Sequence, residues 1–210
     1  LCSVSKKRGL FFYNSYFDEF YNAQTTKVQK RILWTLRVIE DLDRIPETYF
    51  KHLEGTDGLY EIRVQSASNI YRIFCFFDDN NLVVIGHGFQ KKTQKTPERE
   101  IERGEKIKRE YYEKKNLTSL SEFIDNKVGK RGTKKRDKFE AEYDAFKLGV
   151  LIQQARQEKG LTQEQVAELS GTNKSYISKL EKDLKDVRFS TLQRIIKEGL
   201  GGHLEISIKF

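Results

Sequence analysis

Arg63, Arg72, His87, Lys91 and Lys92 are the residues of this chain whose types could act on a phosphodiester. Guanidinium groups grip phosphate oxygens through paired N–H bonds and stay charged at every relevant pH. An imidazole titrates near neutrality, and a lysine among cations gives up its proton more readily, so either could carry one. Together they could act on a phosphodiester, the arginines steadying charge on its oxygens while an imidazole or a lysine moves a proton. Arg63 and Arg72 are expected as phosphate clamps, and Lys91 or Lys92 as proton carrier or phosphate binder. His87 is a further catalytic candidate that could equally be structural. Phe89 could stack a base, with Lys95 nearby on the RNA. No Asp/Glu/His cluster resembles a magnesium or zinc site, and no Ser or Cys has a partner base, so neither metal nor cofactor is expected.

These groups need a sheet to hold them. Runs at 59–64, 70–77 and 82–87 are β-rich and separated by QSASN and DDNN, so they predict an antiparallel meander. A hairpin centred between Ala67 and Ser68 sets Arg63 opposite Arg72. One centred between Asp79 and Asn80 sets Arg72 opposite His87, or opposite Phe89 after a slip, with His87 keeping its face by parity. Like charges directly opposite repel, so the row marks a phosphate site, or else a structural cluster neutralised by Glu61 and Glu54. Gly86 and Gly88 would let a ligand approach the backbone beside His87. Upstream, residues 10–13 read as a strand. Ser15 caps a helix carrying Phe17, Phe20 and Tyr21, and a longer helix from Thr25 or Thr26 aligns Val28, Ile32, Leu36 and Ile39. This helical hairpin should lie on the sheet. Pro97 opens a helix from Glu98 to about Lys115.

A second set of spacings belongs to a different chemistry. In LTQEQVAELSGTNKSYISKLEK, Thr162 and Gln165 form a capping box, Val166 and Leu169 are the apolar positions of a short helix, and Gly171 suits a tight reversal. Asn173 caps a second helix that buries Ile177, Leu180 and Leu184. Its other face shows Lys174, Ser175, Ser178, Lys179 and Lys182 and no carboxylate, the pattern of a helix-turn-helix with a recognition helix for the major groove. An ordinary helical hairpin with a solvated face is the alternative. Leu148, Leu151, Ile152 and Ala155 predict the preceding helix, and Ser190 with Gln193 a following one. Ser119 and Glu122 form a further capping box, and GKRGTKKRDK reads as a linker or basic arm. In 203–210, Leu204, Ile206, Ile208 and Phe210 alternate with polar residues, as in a strand in need of a partner.

Composition narrows the class. The 210 residues carry a net charge of +8, split evenly: 21 basic against 17 acidic side chains in 1–116, and 18 against 14 in 117–210. Such a balance points to nucleic acid, with no basic amphipathic stripe to suggest a membrane. The apolar runs are short of a membrane span, Lys6-Lys7-Arg8 precedes no signal-peptide core, and Cys2 and Cys75 make no disulfide scaffold, so a cytoplasmic setting is expected. There is no Met. Leu1 and Leu117 stand where start methionines would, as if two reading frames had been joined.

The order LEGTDGLYEIRV, NIYRIFCFF, LVVIGHGFQKKTQKTPEREIERG resembles the RelE/HigB-type toxins of bacterial toxin–antitoxin systems, over most of 10–115. The resemblance implies a small metal-free endoribonuclease that cuts mRNA in the ribosomal A site. By motif position Arg63, Arg72, Lys91 and Lys92 match the family's basic surface, and His87 and Phe89 its exit motif. Residues 140–200 resemble the Cro/repressor-like domains of HigA-type antitoxins. That implies phosphate contacts from Gln163 and Arg188, base contacts from Lys174, Ser175 and Lys179 with Asn173 at their head, and a homodimer on a pseudo-palindromic operator. The expected architecture is an α+β RelE-like domain over 1–116, a helix and basic linker over 117–138, and an all-α helix-turn-helix domain with a C-terminal strand over 139–210. The expected partners are mRNA on the ribosome, operator DNA, and toxin and antitoxin for each other. The alternative is a non-enzymatic helix-turn-helix regulator whose first domain binds RNA or protein.

Overall fold

The computed structural model describes residues 7–79, 81–90, 96–114, 117–182 and 187–205, with backbone alone for 83–87. The chain divides into two compact units, Cys2–Arg136 and Asp137–Phe210. The first contains β1 (Leu10–Tyr13), α1 (Tyr16–Asn22), α2 (Thr26–Asp41), β2 (Phe50–His52), β3 (Tyr60–Ser66), β4 (Asn69–Asp78), β5 (Asn81–Gln90), α3 (Glu98–Glu113), β6 (Leu117–Ser119) and α4 (Leu120–Lys127). Its strands form one sheet in the order β2-β3-β4-β5-β1-β6. β1 runs parallel to β5, and the other pairings are antiparallel.

Alternation along β4 explains why this strand is almost wholly buried: both of its faces are covered. Tyr71 meets Phe20 of α1, with ring centroids 6.4 Å apart. On the opposite face Phe74 and Phe76 join Ile107 and Tyr111 of α3 in one apolar cluster. Val28, Ile32, Leu36 and Ile39 of α2 are buried, as their spacing predicts. Ser15 and Thr25 stand at the heads of α1 and α2 but make no side-chain cap bond.

Both expected turns form. Ser66 pairs with Asn69 and Asp78 with Asn81, and Ala67 and Asp79 adopt φ of 53° and 47°, the left-handed geometry that two-residue hairpin turns favour. The β4–β5 ladder then shifts. Cys75 faces Val84, but Ile73 faces Gly88, so Phe74 alone spans what Ile85, Gly86 and His87 span on β5. Arg72 thus pairs with Phe89, the second of the two expected partners, but through a bulge and not a slipped turn, and His87 lies within the irregularity.

The expected linker is structured. β6 pairs with β1, Tyr13 facing Leu117 and Phe11 facing Ser119. Ser119 and Glu122 form the capping box that starts α4, whose Phe123 packs against Phe12, Phe17 and Tyr21. The basic run ends in helix: Lys134 begins a 25-residue helix, α5 (Lys134–Glu158). Arg136 is buried, with Nη1 2.6 Å from Asp125 Oδ1 and donating to the Gly129 carbonyl.

In the second unit α5 is followed by α6 (Gln163–Leu169), α7 (Lys174–Lys182), α8 (Phe189–Arg194) and a π-helical turn over Ile195–Gly199. Ile152, Val166, Ala167, Ile177, Leu180, Ile195 and Leu200 form its core. Leu169 does not join them and is 54% exposed, Ala167 taking the inward position. α8 begins at Phe189, before the predicted Ser190 cap. Leu184 and the strand residues 206–210 lie outside the described residues, and 203–205 have no regular structure. Among the described residues no helix is long and apolar enough to cross a membrane.

Candidate functional site

Arg63 and Arg72 face each other across β3 and β4, and strand parity puts Glu61 on the same side of the sheet. The Glu61 carboxylate is 1% exposed and lies between them. Arg63 Nε donates to its Oε1 at 2.9 Å. Arg72 Nε is also 2.9 Å from Oε1, but it makes no aligned hydrogen bond. That contact is charge against charge. Thr96, just ahead of α3, donates its hydroxyl to Glu61 Oε2 at 2.9 Å. Two cations around one carboxylate leave a net charge of +1, so the cluster is partly neutralised, by Glu61. Arg72 is buried, whereas the Arg63 side chain is 25% exposed and also reaches the Glu47 carbonyl at 3.3 Å.

Burial lowers the Arg72 pKa from its ordinary value; Glu61 opposes the shift and Arg63 adds to it. Burial, with the Glu61 charge second, pushes the Cys75 thiol well above its usual range. Phe89 is half-buried and packs edge-on against Phe74 at 5.6 Å, which ties it to the α3 side of the core. At Gly88 a Cβ would lie 2.4 Å from the Phe20 ring, so the space kept by this glycine belongs to α1 and not to a ligand. Lys91, Lys92 and Lys95 lie outside the described residues, as does the side chain of His87. Sequence reasoning missed Thr96. It stands in no periodic element, and only the fold brings it to Glu61.

The second unit presents the expected polar helix. Lys174, Ser175, Lys179 and Lys182 of α7 are exposed, and with Gln163 and Ser178 they line one groove. Asn173 caps α7, its Oδ1 accepting from the Tyr176 N–H at 2.9 Å. Asn173 also lines an adjoining groove with Arg188 and Arg194, and Arg194 had no signal in the spacing. Gln163 Nε2 donates to Glu181 Oε2 at 2.9 Å. Glu181 is 1% exposed and accepts both Nε and Nη2 of Arg156, at 2.6 and 2.9 Å. Lys174 Nζ lies 3.1 Å from Glu164, an exposed pair that water and salt weaken. Gly171, at φ 61°, makes the reversal between α6 and α7.

Residues 19–109 match the family model described as phage derived protein Gp49-like (DUF891), and residues 152–198 match the one described as helix-turn-helix. No curated protein matches the chain. The first match spans α1 to most of α3 and contains the Arg63–Arg72–Glu61 cluster; the second contains α6 and α7. The chain therefore carries a Gp49-like domain, of the RelE/toxin-like kind, and a helix-turn-helix domain of the DNA-binding kind.

Proposed function

We propose that the chain is a toxin and its antitoxin on one polypeptide. The toxin is a HigB/RelE-type endoribonuclease that cuts mRNA on the ribosome. The antitoxin is of HigA type: it restrains the nuclease and represses the operon as a dimer on operator DNA, through Gln163, Asn173, Lys174, Ser175, Lys179 and Arg188. The observation that carries the reading is the cross-strand pair Arg63–Arg72, converging on one oxygen within a Gp49-like sheet. Two guanidinium groups so aimed can steady the charge that builds on a phosphorane. Arg63, the more exposed, touches the phosphate, and Arg72 supports it from inside. Lys91, Lys92 and His87 share the proton transfers, and Phe89 and Lys95 hold the RNA.

The test is translation-dependent mRNA cleavage by residues 1–136, compared with Arg63→Ala in the same fragment. Losing a transition-state donor of this kind costs about 10²–10³-fold. Equal cleavage by both removes Arg63 from the chemistry. The neutralised and largely buried state of Arg72 favours a second reading, in which the first unit is a non-enzymatic RNA- or protein-binding platform. Intact mRNA with the unvaried fragment, beside retained operator binding by the full chain, would carry that one instead.

A further inference from the structure

Three features of the Glu61 cluster are unusual for a structural ion pair. Both arginines turn the same atom, Nε, to the same oxygen, Glu61 Oε1, each at 2.9 Å. The other oxygen takes the Thr96 hydroxyl, so the carboxylate is coordinated from separate directions, much as a phosphate oxyanion is. And Arg72 Nε, buried and in charge contact, lacks an aligned hydrogen bond to the carboxylate it faces. A buried donor left so marks a site whose hydrogen-bonding capacity the present partner does not use up. A carboxylate offers two oxygens in a plane, whereas a tetrahedral oxyanion offers oxygens in several directions and suits donors arriving from three sides.

We propose that Glu61 is an internal occupant of an oxyanion site built by Arg63, Arg72 and Thr96, and that a phosphate-type ligand binds there in competition with it. The proposal deepens the nuclease reading and rests on it only for the source of the phosphate, the RNA backbone. It assigns Glu61 a restraining part: the carboxylate keeps the two cations together in the free protein and lowers the affinity of their site for anions.

The full chain, Glu61→Gln and Glu61→Gln/Arg72→Leu are melted in increasing inorganic phosphate and in chloride of equal ionic strength. The chloride series and the double variant remove the general effects of salt and of phosphate bound elsewhere. Glu61→Gln is expected to gain a phosphate-dependent rise in Tm clearly above those of the parent chain and of the double variant. If Glu61→Gln does not fold in buffer alone, phosphate is expected to restore the cooperative transition and chloride is not. The same rise in all three proteins, or no restoration, overturns the proposal. A parallel series with an uncleavable dinucleoside phosphate separates the two sources: a response at lower concentration than inorganic phosphate marks the backbone diester, and the reverse marks free phosphate. The melts read no cleavage. Failure of the nuclease reading therefore appears as intact mRNA with a positive phosphate response, and failure of this inference as the absence of that response.

Discussion

Glu181 accepts from Arg156 and Gln163 in the interior of the helix-turn-helix, and its near-complete burial sets the consequence of losing it. Removing one partner of a buried ion pair leaves the other charge uncompensated and costs about 3–5 kcal/mol. Glu181→Ala is expected to lower the unfolding free energy of the second unit by that order, followed by circular dichroism in urea; a change below about 1 kcal/mol would place the pair with surface bridges. Such inward pairings were the least legible part of the sequence. Gln163 sits at the head of a helix on a polar face, and periodicity cannot say that its amide turns back to a carboxylate eighteen positions later. Glu61 was half legible: it was named with Glu54 as an acid that could neutralise the arginines, but its place between the two was not. Gly88 shows the same limit, for a glycine next to a histidine fits a close ligand and a close Phe20 ring equally well.

Helices and long strands were legible because their periodicity repeats over many residues. The three-residue strands were not. β2 and β6 carry too few residues for alternation to register, and they exist because β3 and β1 offer edges to pair with. The bulge in β5 was hidden for a related reason: Gly86 and Gly88 permit it, but the ladder partner decides where it falls. β6 has a further effect. It closes the β1 edge of the sheet, while α4 seats Phe123 among Phe12, Phe17 and Tyr21. A fragment ending at residue 116 would expose that edge and the aromatic rings beneath it. Residues 1–116 are expected to elute as aggregates in size-exclusion chromatography and residues 1–136 as a discrete species. Two discrete species would mean that the edge needs no cover.

The two-part organisation was legible from capping boxes and motif order, whereas the place of the break was not, since nothing in the composition of 117–136 shows which side it packs on. The first unit is expected to weaken in alkali. Burial raises the Tyr21 and Tyr111 pKa values well above the ordinary phenol value, Asp18 and Asp78 adding to it, and the Glu110 hydrogen bond raises Tyr16. Groups with raised folded-state pKa values stabilise fully below their unfolded value of about 10. That contribution is lost as pH rises towards the folded values. All three belong to the first unit, so calorimetry should show its transition moving down as pH rises from 8 to 11. An unmoved transition would mean that these hydroxyls ionise without strain.

The junction between α3 and β6 spans only the residues from Glu113 to Leu117, whereas β6 and α4 grip the rest of the first unit through a strand ladder and an aromatic socket. Cutting the backbone there would sever one peptide bond and none of that grip. The two pieces would then stay together as partners governed by mass action, and covalent continuity would act as a local-concentration device.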